Sequence, residues 1–172
     1  DTPSADAEIA EETEPEDTRA AIPDDLPERD FGGKDFIVLG SDDEHFGEYI
    51  VSEELNGEVV NDAVYERNKA VEDRLGVKLS SVEEPGDSAY NVTNKASLSV
   101  RSGTHEYDIL AAACYVAVNE SINGTFADMR ESLYIDFDKP WWSQGYNEVV
   151  EYQGAQFCGL SSALLSQYRF AF

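Results

Sequence analysis

Residues 59–79, VVNDAVYERNKAVEDRLGVKL, predict a helix that passes directly into a short strand. Apolar residues recur at the 3.6-residue spacing that places them on one helix face, while charged residues occupy the other faces. The apolar residues are Ala63, Val64, Ala70, Val71 and Leu75. Asn61 is expected to cap the first turn, and Gly76 to end the helix in the left-handed conformation. A helix joined to a strand in this way is half of an α/β unit.

The flanking sequence supplies the other parts of a repeating α/β architecture. Residues 36–39 form an apolar run bounded by glycines, which is typical of a parallel strand buried on both faces. Residues 77–82 predict a second strand, residues 90–102 a second helix that ends at Gly103, and residues 107–112 a third strand. This order of elements predicts a mostly parallel sheet, with right-handed crossovers and flanking helices.

The second half of the chain gives weaker signals. Beyond Tyr115 an irregular segment is expected through residue 124. Pro140 suits the start of a helix, and a last strand is expected at residues 155–159. Residues 161–172 end on the aromatic-rich YRFAF without a stop signal, so a continuation of the chain is expected.

Charge separates the first thirty residues from the rest. Twelve Lys and Arg stand against 36 Asp and Glu, and the net charge of −24 disfavours binding to nucleic acids and to anionic membranes. Residues 1–30 hold twelve of the acids, only two basic residues, four prolines and no aromatic residue. Such a segment buries too little apolar area to offset its ordering entropy. Residues 1–30 therefore predict a disordered acidic tether, with an acidic interaction tail as the alternative.

Export is indicated at the start of the chain. The first residue is Asp rather than Met, so a leader is expected to have been removed. The longest apolar run, residues 109–118, is about half of what a membrane-spanning helix requires. Asn91, Asn119 and Asn123 begin glycosylation sequons, which would matter only in a eukaryotic secretory route.

No pattern of residues demands catalysis. His45 and His105 lack partners at zinc-ligand spacing, and the acidic cluster at residues 42–44 lacks the alternating ligands of a calcium loop. The sequence GLSSA at residues 159–163 resembles a nucleophile elbow without its last glycine, and no histidine follows it. We therefore expect no enzyme, no catalytic residue, no metal and no cofactor. Two cysteines are too few for a disulfide framework. Both are expected to be small buried apolar residues, and a single Cys114–Cys158 bridge is the alternative.

Four ordered blocks carry a resemblance to a known family. They are LPERDFGGKDFIVL, VVNDAVYERNKAVEDRLGVKL, VRSGTHEYDIL, and LYIDFDKPWW followed by NEVV. Over about residues 26–160 the chain resembles the N-terminal part of extracellular solute-binding proteins of bacterial ABC transporters, especially lipid-anchored Gram-positive members. In that family two α/β lobes joined by hinge strands close on a ligand.

The resemblance implies an organisation and a role. Residues 31–160 would form a periplasmic-binding-protein-like lobe, and residues 161–172 would start the crossing to a second lobe that a truncated chain lacks. The protein would lie outside the cell, anchored through a lipidated cysteine upstream of this sequence. It would bind a small solute, a sugar or a short peptide, and would deliver it to a membrane permease.

Ligand-binding residues are expected where parallel strands end, because ligands of open parallel sheets lie beyond the carboxyl ends of the strands. These residues are Ser41 and Asp42 after the first strand and Tyr115 after the third. Trp141 and Trp142 are further candidates, since aromatic faces suit sugars, but adjacent tryptophans beside a helix start also serve to pack that helix.

Three functions remain open on the sequence alone. A carbohydrate-binding component of an importer is the first, a secreted adhesion or interaction module the second, and a fragment of a secreted glycosidase the third. An isolated lobe is also expected to expose apolar surface through which it could self-associate.

Overall fold

Three parallel strands form the centre of the fold in the computed structural model, which describes residues 21–41, 50–85 and 89–161. They are β1 (Lys34–Ser41), β2 (Val77–Glu84) and β3 (Ile109–Leu110), in the spatial order β2-β1-β3. Lys34 of β1 pairs with Val77, and the register continues to Ser41 and Glu84. The first and third strands pair over two residues only.

Helices flank this sheet. They are α1 (Val59–Leu75), α2 (Ala89–Ser102), α3 (Cys114–Ser121) and α4 (Gln144–Val149). The connection from β1 to β2 and the connection from β2 to β3 run in opposite directions across the sheet. The predicted right-handed crossovers would place α1 and α2 on opposite faces. The predicted α/β class, a parallel sheet flanked by helices, is confirmed.

A row of apolar residues across the sheet forms the core under α2. Leu39 is fully buried, and its neighbours in register are Val82 on β2 and Leu110 on β3. Val92 and Ala96 of α2 pack against this row. Full burial of a side chain such as Leu39 stabilises a fold by about 1.5–3 kcal/mol. The central strand β1, which has a paired strand on each side, thus contributes the most deeply buried residue of this core.

The junction between α1 and β2 matches the sequence prediction. Gly76 follows the helix with φ 61° and ψ 42°, in the left-handed region, and its N–H donates to the carbonyl of Glu72. The carboxylate of Glu72 accepts the N–H of Leu79 at 2.8 Å and contacts Lys69, which lowers the pKa of Glu72 below its ordinary value. The end of α1 is thereby fixed to the outer strand.

The start and the apolar face of α1 differ from the prediction. The helix begins at Val59, with Glu58 in the capping position and no capping side chain, so the assignment of Asn61 as the cap is wrong. Asn61 instead donates to the carbonyl of Glu54. Of the predicted apolar face only Val64 is buried, because α1 packs on β2 at the margin of a small sheet.

Four predictions for the later elements need correction. The third strand covers only Ile109–Leu110, and residues 114–121, expected to be irregular from Tyr115 onward, form α3. The last helix, α4, begins four residues after Pro140. Residues 155–159 form no strand, and Ala155 makes only an isolated antiparallel bridge with Tyr152. The alternative of a single Cys114–Cys158 bridge depends on the side chain of Cys114, which lies outside what the structure describes.

The conformation at Gly76 yields a stability prediction. A Cβ atom there would overlap the carboxylate of Asp30, whereas a Cβ at Gly103, which follows α2 with φ 75°, would meet nothing within 4 Å. Left-handed backbone costs a non-glycine residue about 1–2 kcal/mol in either position. Gly76→Ala should lower the free energy of unfolding more than the matched control Gly103→Ala, as measured by chemical denaturation. Equal losses would show that the contact with Asp30 is unimportant.

Candidate functional site

The carboxyl ends of the three strands meet at one edge of the sheet, called here the carboxyl edge. Ser41, Glu84 and Leu110 end the strands there. Helices α1, α2 and α3 each follow a strand, so their first turns also lie at this edge. Given the strand order, the point at which the connections diverge lies between β1 and β3. Open α/β sheets bind ligands at such a point.

Ile50 lies over the end of β1 at the carboxyl edge. A Cβ atom on the buried Gly40 would be 3.1 Å from Cδ1 of Ile50 and 4.0 Å from the carbonyl oxygen of Ala111. The carbonyl of Ile50 accepts hydrogen bonds from Arg67 at 2.8 Å and from the buried Asn68 at 3.2 Å. Two side chains of α1 thus hold the chain where it returns to the sheet, and burial lowers the pKa of Arg67.

A polar depression of about 530 Å³ lies beside the start of α1. It is lined by Val51, Ser52, Glu53, Glu54, Asn56 and Asn61. The hydroxyl of Ser52 donates to the amide oxygen of Asn61 at 2.7 Å, and this contact shapes one wall. Carboxylates and amides together offer both acceptors and donors to a hydroxylated or amide-bearing ligand.

Asp62 fixes the loop that borders the depression. Its carboxylate contacts the amide of Asn61 and accepts the N–H groups of Asn56 at 3.0 Å and Gly57 at 3.3 Å. The side-chain hydrogen bond with Asn61, together with these backbone bonds, lowers the pKa of Asp62. The carboxylate is therefore charged at neutral pH in the first turn of α1, where the helix dipole favours a negative charge.

Two tyrosines meet at the carboxyl edge. Tyr90 is the second residue of α2 and Tyr115 the second residue of α3, and their rings contact edge to face with centroids 6.4 Å apart. Both side chains remain about half exposed, at 51% and 54%. Tyr115 was expected here, whereas Tyr90 was missed. The signal for Tyr90 is its place in the first turn of a helix that follows a parallel strand.

The other predicted site residues lie in different parts of the structure. Ser41 ends β1 at the carboxyl edge, and Asp42 lies outside the described residues. Trp142 is half-buried and packs on Phe137, with ring centroids 4.8 Å apart. A Cβ atom on Gly159 would lie only 3.2 Å from the Trp142 ring. These contacts favour the packing interpretation of Trp142.

Trp141 lies toward the opposite, amino-terminal edge of the sheet. The ammonium of Lys139 is 5.8 Å from the centre of the Trp141 ring and donates to Asp25 at 2.9 Å. The adjacent Asp24 pairs with Arg74 in the last turn of α1, just before β2 starts. The described part of the acidic segment is thus bound at the edge where the strands begin. The structure brings Ser41 and Tyr115 to one edge and places Trp141 near the other.

The comparisons add no relative. No protein-family model matches the chain, and searches of curated proteins and of solved structures found no match. Within residues 21–41, 50–85 and 89–161, no group of three or more His, Cys, Asp or Glu side chains is arranged to hold a metal ion. None of the helices in the same ranges is long and apolar enough to cross a membrane.

The pairing of Asp24 with Arg74 predicts a pH dependence. Hydrogen bonding to Arg74 lowers the pKa of Asp24 from 3.8 to about 2. A carboxyl group whose pKa is lowered by folding stabilises the folded state above its unfolded pKa, and this contribution is lost as the pH falls. The contact should therefore persist at pH 3.8 and weaken toward pH 2, as followed by NMR titration of the Asp24 carboxyl.

A matched pair of variants isolates the contribution of Arg74. Arg74→Gln should return the pKa of Asp24 toward 3.8, since the guanidinium is the main cause of its lowering. Arg29→Gln removes an arginine that lies 5.0 Å from the Phe31 ring and should leave that pKa unchanged. An Asp24 pKa near 3.8 in the unaltered chain would contradict the contact.

Proposed function

We propose that the chain forms part of the first lobe of an extracellular solute-binding protein that serves a bacterial ABC importer. The observation that carries this proposal is the carboxyl edge. The strand order β2-β1-β3 is of the kind in which ligands bind at this edge, and the same edge carries a polar depression and an exposed pair of tyrosines. The family resemblance of the sequence supports the same assignment, and the periplasmic-binding-protein-like lobe is part of the proposal.

The chemistry of this edge favours a sugar or a short peptide. Aromatic ring faces cover C–H patches of such ligands, while nearby polar groups fix their orientation. Tyr90 and Tyr115 supply half-exposed rings, and Glu53, Glu54 and Asn56 supply polar groups. The net charge of −24 works against anionic solutes. A neutral carbohydrate is therefore the preferred ligand.

An open depression on one lobe suits a protein that closes on its ligand. Small-molecule sites bury most of the ligand surface, and a shallow site does so only when a second surface covers it. In the proposed protein that surface is a second lobe, and the closed form is recognised by a membrane permease. A lipidated cysteine upstream of this sequence would hold the protein at the cell surface.

Binding can be tested by a thermal-shift screen of neutral oligosaccharides and tripeptides on the full-length protein that contains this chain. A ligand that binds the folded state raises the melting temperature. For a ligand found in this way, Tyr115→Ala and Tyr90→Ala should each weaken binding by about tenfold, the factor that corresponds to a lost aromatic contact of about 1.4 kcal/mol.

The control and the contradicting results are specific. Tyr134→Ala removes an equally exposed tyrosine that is not part of the pair, and should leave the dissociation constant unchanged. Binding only to cell-wall polymers or host glycans would favour an adhesion module instead. Release of sugar that Glu53→Gln or Glu54→Gln abolishes would favour a glycosidase. Either result would overturn the importer proposal.

A further inference from the structure

Two Asn-Gly pairs in the chain differ in how the fold holds them. They are Asn56-Gly57, in the loop before α1, and Asn123-Gly124, in the turn after α3. A glycine after asparagine leaves its backbone nitrogen unhindered by a Cβ atom, so that nitrogen can approach the side-chain carbonyl carbon. The rate of this attack then depends on the hydrogen bonds that must break before the nitrogen can reach the side chain.

Asn56-Gly57 is held at both reacting groups. The N–H of Gly57 donates to the carboxylate of Asp62 at 3.3 Å, and the side-chain oxygen of Asn56 accepts the N–H of Glu58 at 2.9 Å. The backbone N–H of Asn56 also donates to Asp62, at 3.0 Å. Attack by the Gly57 nitrogen on the Asn56 side chain requires these contacts to open.

Asn123-Gly124 is held at one group only. The side-chain nitrogen of Asn123 donates to a carboxylate oxygen of Glu120 at 3.0 Å. Both residues are exposed, Gly124 has φ 77°, and a Cβ atom there would meet nothing within 4 Å. Within the described part of the chain, neither the Gly124 N–H nor the Asn123 side-chain oxygen takes part in a hydrogen bond.

We propose that Asn123 is a site of spontaneous deamidation. The backbone nitrogen of Gly124 forms a bond to the side-chain carbonyl carbon of Asn123, the bond from that carbon to the amide nitrogen breaks, and the proton of the Gly124 nitrogen leaves with the ammonia. Water then opens the succinimide at either of its carbonyl carbons. The products are aspartate and isoaspartate, and the overall reaction consumes one water and releases one ammonia.

The product changes the contacts of this turn. Burial raises the pKa of Glu120, but hydrogen bonds from Thr125 and Asn123 outweigh it and keep that pKa lowered. Thr125 contacts Glu120 at 2.5 Å and Ser97 of α2 at 3.3 Å. A new carboxylate at position 123 repels Glu120, so the link from this turn to α2 weakens. The turn lies at the end of α3 opposite Tyr115, away from the carboxyl edge.

The experiment compares the two pairs within one molecule. The whole chain is incubated in mildly alkaline buffer, and isoaspartate at each position is followed by peptide mapping with isoaspartyl methyltransferase labelling. In the folded chain Asn123 should react about tenfold faster than Asn56, the factor expected when one more hydrogen bond to a charged group must break. In denaturant the two positions should react at similar rates.

Two variants separate the causes. Asp62→Ala frees the Gly57 N–H and should accelerate deamidation at Asn56 without changing the rate at Asn123. Asn123→Gln should remove isoaspartate at position 123, because the longer side chain disfavours the five-membered ring. The proposal is overturned if Asn56 reacts as fast as Asn123 in the folded chain. It is also overturned if Asn123 stays intact in the folded chain although both positions react in denaturant.

Discussion

The pairing of β1 with a strand on each side is the interaction on which the rest of the structure depends. It buries Leu39 completely and aligns it with Val82 and Leu110, so that α2 finds a continuous apolar row to cover. The same pairing is parallel, which gathers the carboxyl ends of all three strands at one edge. One set of backbone hydrogen bonds therefore determines both where the core lies and where the proposed ligand site lies.

The two edges of the sheet carry different chemistry as a consequence. At the carboxyl edge, exposed tyrosines and a polar depression leave groups open to solvent. At the amino-terminal edge, Arg74 and Lys139 are engaged by Asp24 and Asp25 of the acidic segment. Two cations are thus occupied by carboxylates at the amino-terminal edge.

Sequence reasoning succeeded where local and tertiary preferences agree. The apolar run at residues 36–39 is a central strand, and a strand buried on both faces needs an uninterrupted apolar sequence. Gly76 was identified because a left-handed residue after a helix is favourable mainly for glycine. The strand ends, and with them Tyr115 as a residue of the carboxyl edge, followed from the order of these elements.

The misses have tertiary causes. The apolar run at residues 109–118 is shared between β3 and α3, and periodicity cannot show where a short apolar strand ends and a buried helix begins. The second miss is the strand predicted at residues 155–159. Gln156 in this segment is buried, with 1% exposure. Its backbone N–H donates to Asp128 at 2.9 Å, and its carbonyl accepts the N–H of Met129 at 2.7 Å. Contacts with a segment almost thirty residues away decide its conformation, and no local pattern encodes them.

Amide NMR spectra of the isotope-labelled full-length protein that contains this chain, recorded as pooled neutral oligosaccharides and tripeptides are added, test most directly whether the carboxyl edge is the binding face. If it is, shift changes cluster at residues 50–61 and around Tyr90 and Tyr115, while residues 21–26 and Trp141 stay unchanged. Changes centred on Lys139 and Trp141, with the two tyrosines unaffected, would contradict a ligand site at the carboxyl ends of the strands.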